Sequence, residues 1–494
     1  MRNRVTAFLW LIVIAAGCRD RSMDDPAIKE IPIAHAQADL ETMSDILRSA
    51  HPSLNLYISK ERFFSLIDSV KQSIKAPVSL GELFTKVNFI VNEIGCSHTY
   101  ATLPAYVYDT LQDRAYFFPY PVKWVEGRLL VNVSGYDLPE GTEIQNINTQ
   151  PVKKLLQGMA QYNSVEGHHR NTQLNLAGDD FSFEYYLQYG KKDAFSLVIK
   201  DTMGRNRIVE EKAVTLSEWN DRNNNAKYYY DRTEVDYDLT FNDAQQWAYL
   251  KLSTFHFEGE QRQNAFSNFC YNSFELLQHK KNIHSLIIDL RENHGGKLYN
   301  CFLLYSYLAT QPFNEYVAVS TKIRKVPYET YLDTNFINDD ETGINDQLQE
   351  EFSSKMSNHF FYMPDSLVNS WEPDSLRFKG DVYVITGSSV VSSASYFATM
   401  VKNSGRGKVI GEETTGGSSS GNGFNSLKYI LPHSGISLEF AFAHITYSFG
   451  DEKNAGNGLR PDYYMPDSYE SFKKNDDRQF SFIVDSLILK KNQQ

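Results

Sequence analysis

The spacing of apolar positions divides the chain into three stretches of different period. From Ala34 to about Val91 the period is helical: Leu40, Met43, Ile46 and Leu47 share one face, and Phe63, Leu66, Ile67 and Val70 share another. A third apolar helix, Leu80–Val91, leads into Glu93-Ile94-Gly95-Cys96-Ser97-His98-Thr99-Tyr100. Residues 34–102 therefore read as a helical N-terminal module with a Ser-His pair at its exit. From 103 to 235 β-type runs dominate, among them Tyr120–Trp124, Arg128–Val133, Phe195–Ile199 and Ile208–Val214, with a short helix at Lys153–Met159. A strand edge followed by a helix suits capture of an extended peptide or a C-terminal carboxylate, and a β-rich spacer without a ligand has the same pattern. From 236 to 494 strands and helices alternate, which predicts an α/β core. Its elements are a strand at Trp247–Ser253, a helix at Gln261–His279, a strand at Ser285–Leu290 and a helix at Leu298–Leu308. Residues 328–378, acidic at Asp339-Asp340-Glu341 and poor in long apolar runs, read as an insertion over that core.

The candidate chemistry concentrates between Asp381 and Gly417. Val382–Ile385 forms a buried strand, Gly387-Ser388-Ser389 breaks it, and Ser392 and Ser393 stand where a helix begins. Ala394, Phe397, Ala398 and Val401 recur on one face of that helix, and Gly405 ends it. A helix N-terminus offers free N–H groups and positive potential to an oxyanion, so a serine here is a candidate nucleophile; the same serine also suits a helix cap. A hydroxyl nucleophile needs an imidazole within hydrogen-bond reach, and His98 is the candidate. Gly295-Gly296, after a buried strand, leaves backbone N–H groups open to a substrate. His168-His169 lies in a polar run that reads as a surface loop with no metal spacing, and Lys297 and Lys402 read as solvated lysines.

Composition narrows the function classes. With 41% hydrophobic and 22% charged residues the chain builds a core, and a net charge of −12 without a basic stripe excludes a nucleic-acid partner. At the N-terminus Arg2 and Arg4 precede an apolar run, Val5–Ile14, that ends in Ala15-Ala16-Gly17-Cys18. This predicts an export signal, too short for a membrane span, over residues 1–18. The site resembles a bacterial lipoprotein signal, which makes Cys18 the lipidated first mature residue, residues 19–33 a tether, and the location the cell envelope. An ordinary cleaved signal peptide that happens to contain a Cys fits the same run. Cys96, Cys270 and Cys301 are odd in number and lack metal spacing, so neither a disulfide framework nor a zinc site is predicted.

Together the motifs resemble those of the serine peptidase family that holds the C-terminal processing (tail-specific) proteases and the tricorn core protease. Asp289, Arg291, Asn293, Gly295 and Gly296 match its D-x-R-x-N-x-G-G run, and Ser392 matches the first serine of its S-A-S-E-like turn ahead of Gly405-Arg406. A one-residue slip places Ser393 there instead. Gly411, Glu412, Thr414 and Gly416 match a later G-E-x-T-x-G run, and Gly458, Pro461 and Asp462 a terminal G-x-x-P-D run. Gly417 stands where tail-specific members carry the lysine of a Ser-Lys dyad, so the resemblance points to the tricorn-like Ser-His-Ser-Glu tetrad. It implies Ser392 as nucleophile, His98 as general base, Ser97 as orienting hydroxyl, and the N–H groups of Gly295 and Ser393 as the oxyanion hole. The tetrad's glutamate falls at Ala455, so Glu452 or Asp451 is expected to take its place. The implied fold is a multidomain α+β chain: a crotonase/ClpP-like α/β core, the helical module, and a PDZ-like domain at 103–235. The implied activity is hydrolysis of peptides or proteins without cofactor or metal. A catalytically silent peptide- or small-ligand-binding protein of the same fold is the alternative from another class, and an esterase is a third.

Overall fold

Two serines set the N-terminal helices. Ser59 and Ser79 accept from the N–H of Arg62 and Glu82, each at 3.1 Å, and so open the helices Lys60–Ser73 and Leu80–Ile94. These pack with the helix Ile33–Ala50 through Leu40, Leu47, Phe63, Leu83 and Val87, all buried. The third helix ends at Gly95, which is left-handed at φ 69° and ψ 37°. The chain then turns through Ser97 and His98 into the strand Thr99–Thr102, which pairs antiparallel with the strand Ser437–Tyr447. The Ser-His pair is thus held between a helix end and a sheet that belongs to the other end of the sequence. The computed structural model describes residues 27, 29–226, 235–333, 343–354, 357–451, 453 and 455–491; the predicted export signal, Cys18 and Glu452 lie outside them.

The alternating C-terminal part builds a mixed six-stranded sheet in the order Tyr237–Asn242, Trp247–Leu252, Ser285–Asp289, Asp381–Thr386, Lys408–Gly411, Tyr463–Tyr464. Only the first strand pair is antiparallel; the rest run parallel, with Asp289 beside Ile385. That register brings the turn after Asp289 and the turn after Thr386 side by side at the carboxyl ends of the strands, where open α/β sheets place ligands. One face of the sheet is covered by the helices Gly259–His279, Leu298–Ser306 and Ser393–Asn403. The other face carries Ile287, Tyr383, Ile385 and Ile410 and is closed by Ile483, Val484 and Ile488 from the chain's last described turns.

The middle of the chain forms an antiparallel sheet in the order Val122–Val125, Arg128–Val131, Glu143–Ile147, Ala194–Lys200, Asn206–Lys212, with a core of its own around Phe118, Phe181 and Phe195. Two helices, Arg170–Asp179 and Phe181–Tyr189, interrupt the strand-dominated pattern expected there. Their apolar period is blurred because Thr172, Gln173, Ser182 and Glu184 are buried alongside Leu174, Ala177, Phe181 and Tyr185. The expected insertion at 328–378 is woven into the body. The helix Ile344–Glu351 buries Ile344 and Leu348, and Phe361–Tyr362 extends a second sheet by pairing with Tyr316–Thr321.

A buried ion cluster ties the last turns to the strand ends. The Arg291 guanidinium donates to Asp289 Oδ2 at 2.5 Å and, as a fork, to Asp477 Oδ1 and Oδ2 at 2.8 and 2.7 Å. Tyr249 donates to Asp289 Oδ2 at 2.5 Å. Because removing one member leaves buried charge without its partner, Arg291→Ala is expected to lower the unfolding free energy by about 3–5 kcal/mol. Urea unfolding measures it, and a loss below about 1 kcal/mol would show that the cluster does not anchor these turns.

Candidate functional site

The turn after the strand Asp381–Thr386 has a backbone that decides between its serines. Ser392 sits at φ 58° and ψ −134°, immediately before the helix Ser393–Asn403. A non-glycine residue in that region costs on the order of 1–3 kcal/mol and persists only when its surroundings hold it. Here Ser392 O accepts from Tyr396 N at 3.0 Å, and Val390 O accepts from Thr415 N and Gly416 N at 2.9 and 3.2 Å. Gly295 presses against the turn from the neighbouring strand end: a Cβ there, at φ 91°, would lie 2.6 Å from Ser392 Cβ. Ser392 is half-buried, whereas Ser393 is buried and its Oγ has no partner. Ser395 Oγ is committed inward, to Gly416 O and Thr414 Oγ1, each at 2.8 Å.

The Ser97-His98 pair meets a carboxylate that the sequence pattern did not single out. Ser97 Oγ lies 3.2 Å from His98 Nδ1 and donates to Glu166 Oε2 at 3.0 Å, and Ser97 N–H donates to the same oxygen at 3.3 Å. Tyr57 donates its hydroxyl to Glu166 Oε1 at 3.1 Å. A hydroxyl has one proton, so with that proton on Glu166 the Ser97 oxygen accepts from His98 Nδ1–H. This tautomer leaves the His98 Nε2 lone pair free. Burial lowers the His98 imidazole to about 4, so the ring is neutral at neutral pH. Burial raises Glu166 to about 7, against the hydrogen bonds from Ser97 and Tyr57 that favour its ionised form.

The two halves are joined by a short segment. Thr415 N–H reaches Val390 in the serine turn, while Thr415 O accepts from Glu166 N at 3.1 Å. Gly417 faces the carboxylate side: a Cβ there would lie 2.2 Å from Ser420 O and 3.0 Å from Glu166 Cγ. Among the described residues no hydrogen bond joins His98 to Ser392. Catalytic hydrogen bonds are often long before substrate binds.

The glycine turn differs from expectation in one respect. Gly295 N–H, an expected oxyanion donor, donates to Asn293 Oδ1 at 2.8 Å, and Asn293 is fixed in turn by its Nδ2 on Leu252 O at 3.2 Å. The D-x-R-x-N-x-G-G run is thus built to rigidify the turn. Among the described residues, the N–H groups of Gly296 and Ser393 have no hydrogen-bond partner.

Of the expected orienting carboxylates, Glu452 lies outside the described residues, and Asp451 Oδ1 accepts from Lys453 N at 3.1 Å. Ala455 is exposed. Glu166 lies in the same polar run as His168 and His169, which reads as a surface loop, yet of the three only His168 is exposed. His169 Nε2 accepts from Gly458 N at 2.8 Å. The one local signal was Glu-Gly after the apolar Val165, which is too common to distinguish a site. Lys402 donates to Arg460 O at 2.5 Å, and His294 and Lys297 are exposed beside the glycine turn. Cys96, Cys270 and Cys301 are free thiols in the interior.

A cleft of about 670 Å³ opens beside these turns. Its walls include Glu292, His294 and Gly387–Ser389 from the core and Lys123 and Trp124 from the strand Val122–Val125, the edge of the middle sheet. Neither Ser392 nor His98 lines it.

Residues 246–465 match the model of peptidase family S41. No curated protein matches the sequence. Mature CPAF in complex with lactacystin is similar in structure, with a TM-score of 0.63 at 14% identity over 93% of this chain and 98% of that one. Mature CPAF alone gives the same score and identity over 92% of this chain and 96% of that one. The photosystem II D1 C-terminal processing protease has a TM-score of 0.39 at 14% identity, over 87% of this chain and 92% of that one. The resemblance drawn from the motifs therefore holds: the chain resembles the serine peptidases of family S41, and residues 246–465 carry the match.

The Glu166 shift has a signed consequence for stability. Its folded value, about 7, lies above the ordinary 4.5, so its contribution to stability is full below about 4.5 and is lost as pH rises through about 7. Glu166→Gln removes that dependence. Urea unfolding of both proteins is expected to show the variant gaining on the parent between about pH 4.5 and about pH 7 and keeping a constant difference above it. A difference that does not change with pH would mean that Glu166 is ionised throughout.

Proposed function

We propose that the chain is an exported serine peptidase that cleaves peptide bonds through an acyl-enzyme on Ser392, with His98 as general base. One observation carries this reading: the hydrogen-bonded run Glu166, Ser97, His98 ends in a free Nε2 and is tied through Thr415 to the turn that strains Ser392. In the reaction Ser392 Oγ attacks the scissile carbonyl carbon as His98 Nε2 takes the hydroxyl proton. The imidazolium so formed is stabilised by ionised Glu166 through Ser97. The oxyanion meets Ser393 N–H at the helix N-terminus and the glycine turn, where Gly296 N–H is free and Gly295 N–H must first leave Asn293. Collapse of the tetrahedral intermediate passes the proton from His98 to the leaving amine. Water, activated by the same imidazole, then releases the acid and regenerates the serine.

The middle domain acts in this scheme as a PDZ-like peptide holder, and the core as the crotonase/ClpP-like catalytic unit. The edge strand Val122–Val125 faces the cleft and can extend its sheet with a substrate strand. Export and a lipid on Cys18 place the enzyme in the bacterial cell envelope. No helix among the described residues is long and apolar enough to cross a membrane.

A second reading, a catalytically silent peptide binder of this fold, is favoured by the occupied Gly295 N–H. A fluorophosphonate probe separates the two: the folded chain is expected to be labelled on Ser392, Ser392→Ala to lose labelling, and Ser393→Ala to keep it. Glu166→Gln is expected to lower kcat on a peptide substrate by about 10²–10⁴ with a smaller change in KM, as for a lost orienting partner. Absence of label on folded protein would leave the silent binder as the function.

A further inference from the structure

A second cleft, of about 370 Å³, lies between the N-terminal helices and the middle domain and does not touch the serine turn. Its walls are aromatic, with Phe84, Tyr108, Tyr162, Phe183 and Trp219 contributing rings from five separate elements. Tyr108 and Phe183 stack at 5.4 Å, and Phe84 and Tyr162 at 6.1 Å. Two acids, Asp180 and Glu184, line the same space, and among the described residues no lysine, arginine or histidine does.

Two buried polar atoms on this lining are left without partners. Glu184 is only 5% exposed; its Oε1 accepts from Asn163 Nδ2 at 2.7 Å, while its Oε2 has no hydrogen bond. Trp219, 4% exposed, has an unpartnered Nε1–H. Leaving such groups unpaired costs roughly 1–3 kcal/mol each, and a ligand that pairs with both recovers that cost. A carboxylate set among ring faces is the arrangement that recognises organic cations, since the faces carry negative potential and the acid supplies the counter-charge.

We propose that this cleft binds an organic cation, a primary ammonium on an apolar stem as in a lysine side chain, with Glu184 Oε2 as counter-ion and Trp219 Nε1–H donating to a neighbouring acceptor oxygen of the ligand. The stem lies between the rings, and the ammonium replaces the missing donor to Oε2. Burial, with Asp180 and Asp179 adding to it and the hydrogen bond from Asn163 opposing it, holds the Glu184 carboxyl well above the ordinary range. The site is independent of Ser392 and stands whether or not the chain hydrolyses peptides.

Calorimetric titration of the whole chain tests it with three probes: N-acetyl-lysine methylamide, the norleucine analogue that keeps the stem and loses the charge, and n-butylammonium. The lysine amide is expected to bind saturably and at least about tenfold more tightly than the norleucine amide. Glu184→Gln should lower the lysine-amide affinity at least about tenfold and leave the norleucine amide unchanged. Trp219→Phe should weaken the lysine amide and spare n-butylammonium. Binding of n-butylammonium without the lysine amide supports the cation site and assigns it to a free amine. Equal affinity for the lysine and norleucine amides, no binding of either cation, or an unaltered affinity in folded Glu184→Gln overturns the proposal. Should that variant fail to fold, the charged and neutral probes on the parent chain decide.

Discussion

The candidate site depends on the segment Thr414–Gly417 being hydrogen-bonded from two directions. On one side Thr415 and Gly416 give their N–H groups to Val390 O, which closes the turn that holds Ser392; on the other, Thr415 O takes Glu166 N–H. Thr414 Oγ1 accepts from Leu459 N at 2.8 Å and so fixes the segment to the strand-end loops. A serine from the C-terminal core and a carboxylate from the middle domain are thereby registered to each other through a single residue. Glycine at 417 is part of the same constraint. A side chain at 417 would enter the space of Ser420 O and Glu166 Cγ, so a lysine base there and a carboxylate at 166 compete for one volume. The absence of the lysine and the presence of the glutamate are one structural fact.

Burial pushes the two ionisable groups of the relay in opposite directions, and each shift makes the other useful. His98, lowered to about 4, is a weak proton acceptor by itself, and Glu166, raised to about 7, is reluctant to stay ionised by itself. In the proposed reaction a proton arriving on His98 turns the ring into a cation beside Ser97, which carries the interaction to Glu166, and the cation then favours the ionised carboxylate. The pair is neutral or singly charged at rest and becomes an ion pair only as the proton moves. Stabilisation realised late in this way lowers a barrier more than it tightens a resting complex.

The sequence made the periodic parts legible and hid the long-range ones. Leu40, Met43, Leu83 and Val87 mark their helices because each helix buries one stripe, and Val382–Ile385 marks its strand because a parallel strand is buried on both faces. The helices Arg170–Asp179 and Phe181–Tyr189 were hidden because buried Gln173, Ser182 and Glu184 break their stripes. Ser97, His98 and Ser392 were visible as motif residues. Glu166 was not, because its partnership with Ser97 rests on Gly167 N–H bonding Gly95 O and Glu166 N–H bonding Thr415 O, neither of which leaves a trace in local spacing. The loop near Glu452 drew attention only because a linear motif ended there.

The choice between Ser392 and Ser393 shows why a motif alone stops short of a mechanism. Both residues suit a helix start, and a shift of one position satisfies the pattern equally. The backbone separates them. Ser393 has entered the helix, and its hydroxyl is buried among Ser393's own neighbours with nothing to bond. Ser392 is held at φ 58° with its side chain against Gly295, so the strain falls on the one hydroxyl that borders the glycine turn and the free N–H of Ser393. An ordinary helix cap needs no such conformation, since capping serines lie in the extended region, as Ser59 and Ser79 do at φ −66° and −70°. Ser392 accepts no backbone N–H through its side chain either. Strain that a cap does not require, at a position that does not cap, is the physical argument for a hydroxyl aimed at a substrate.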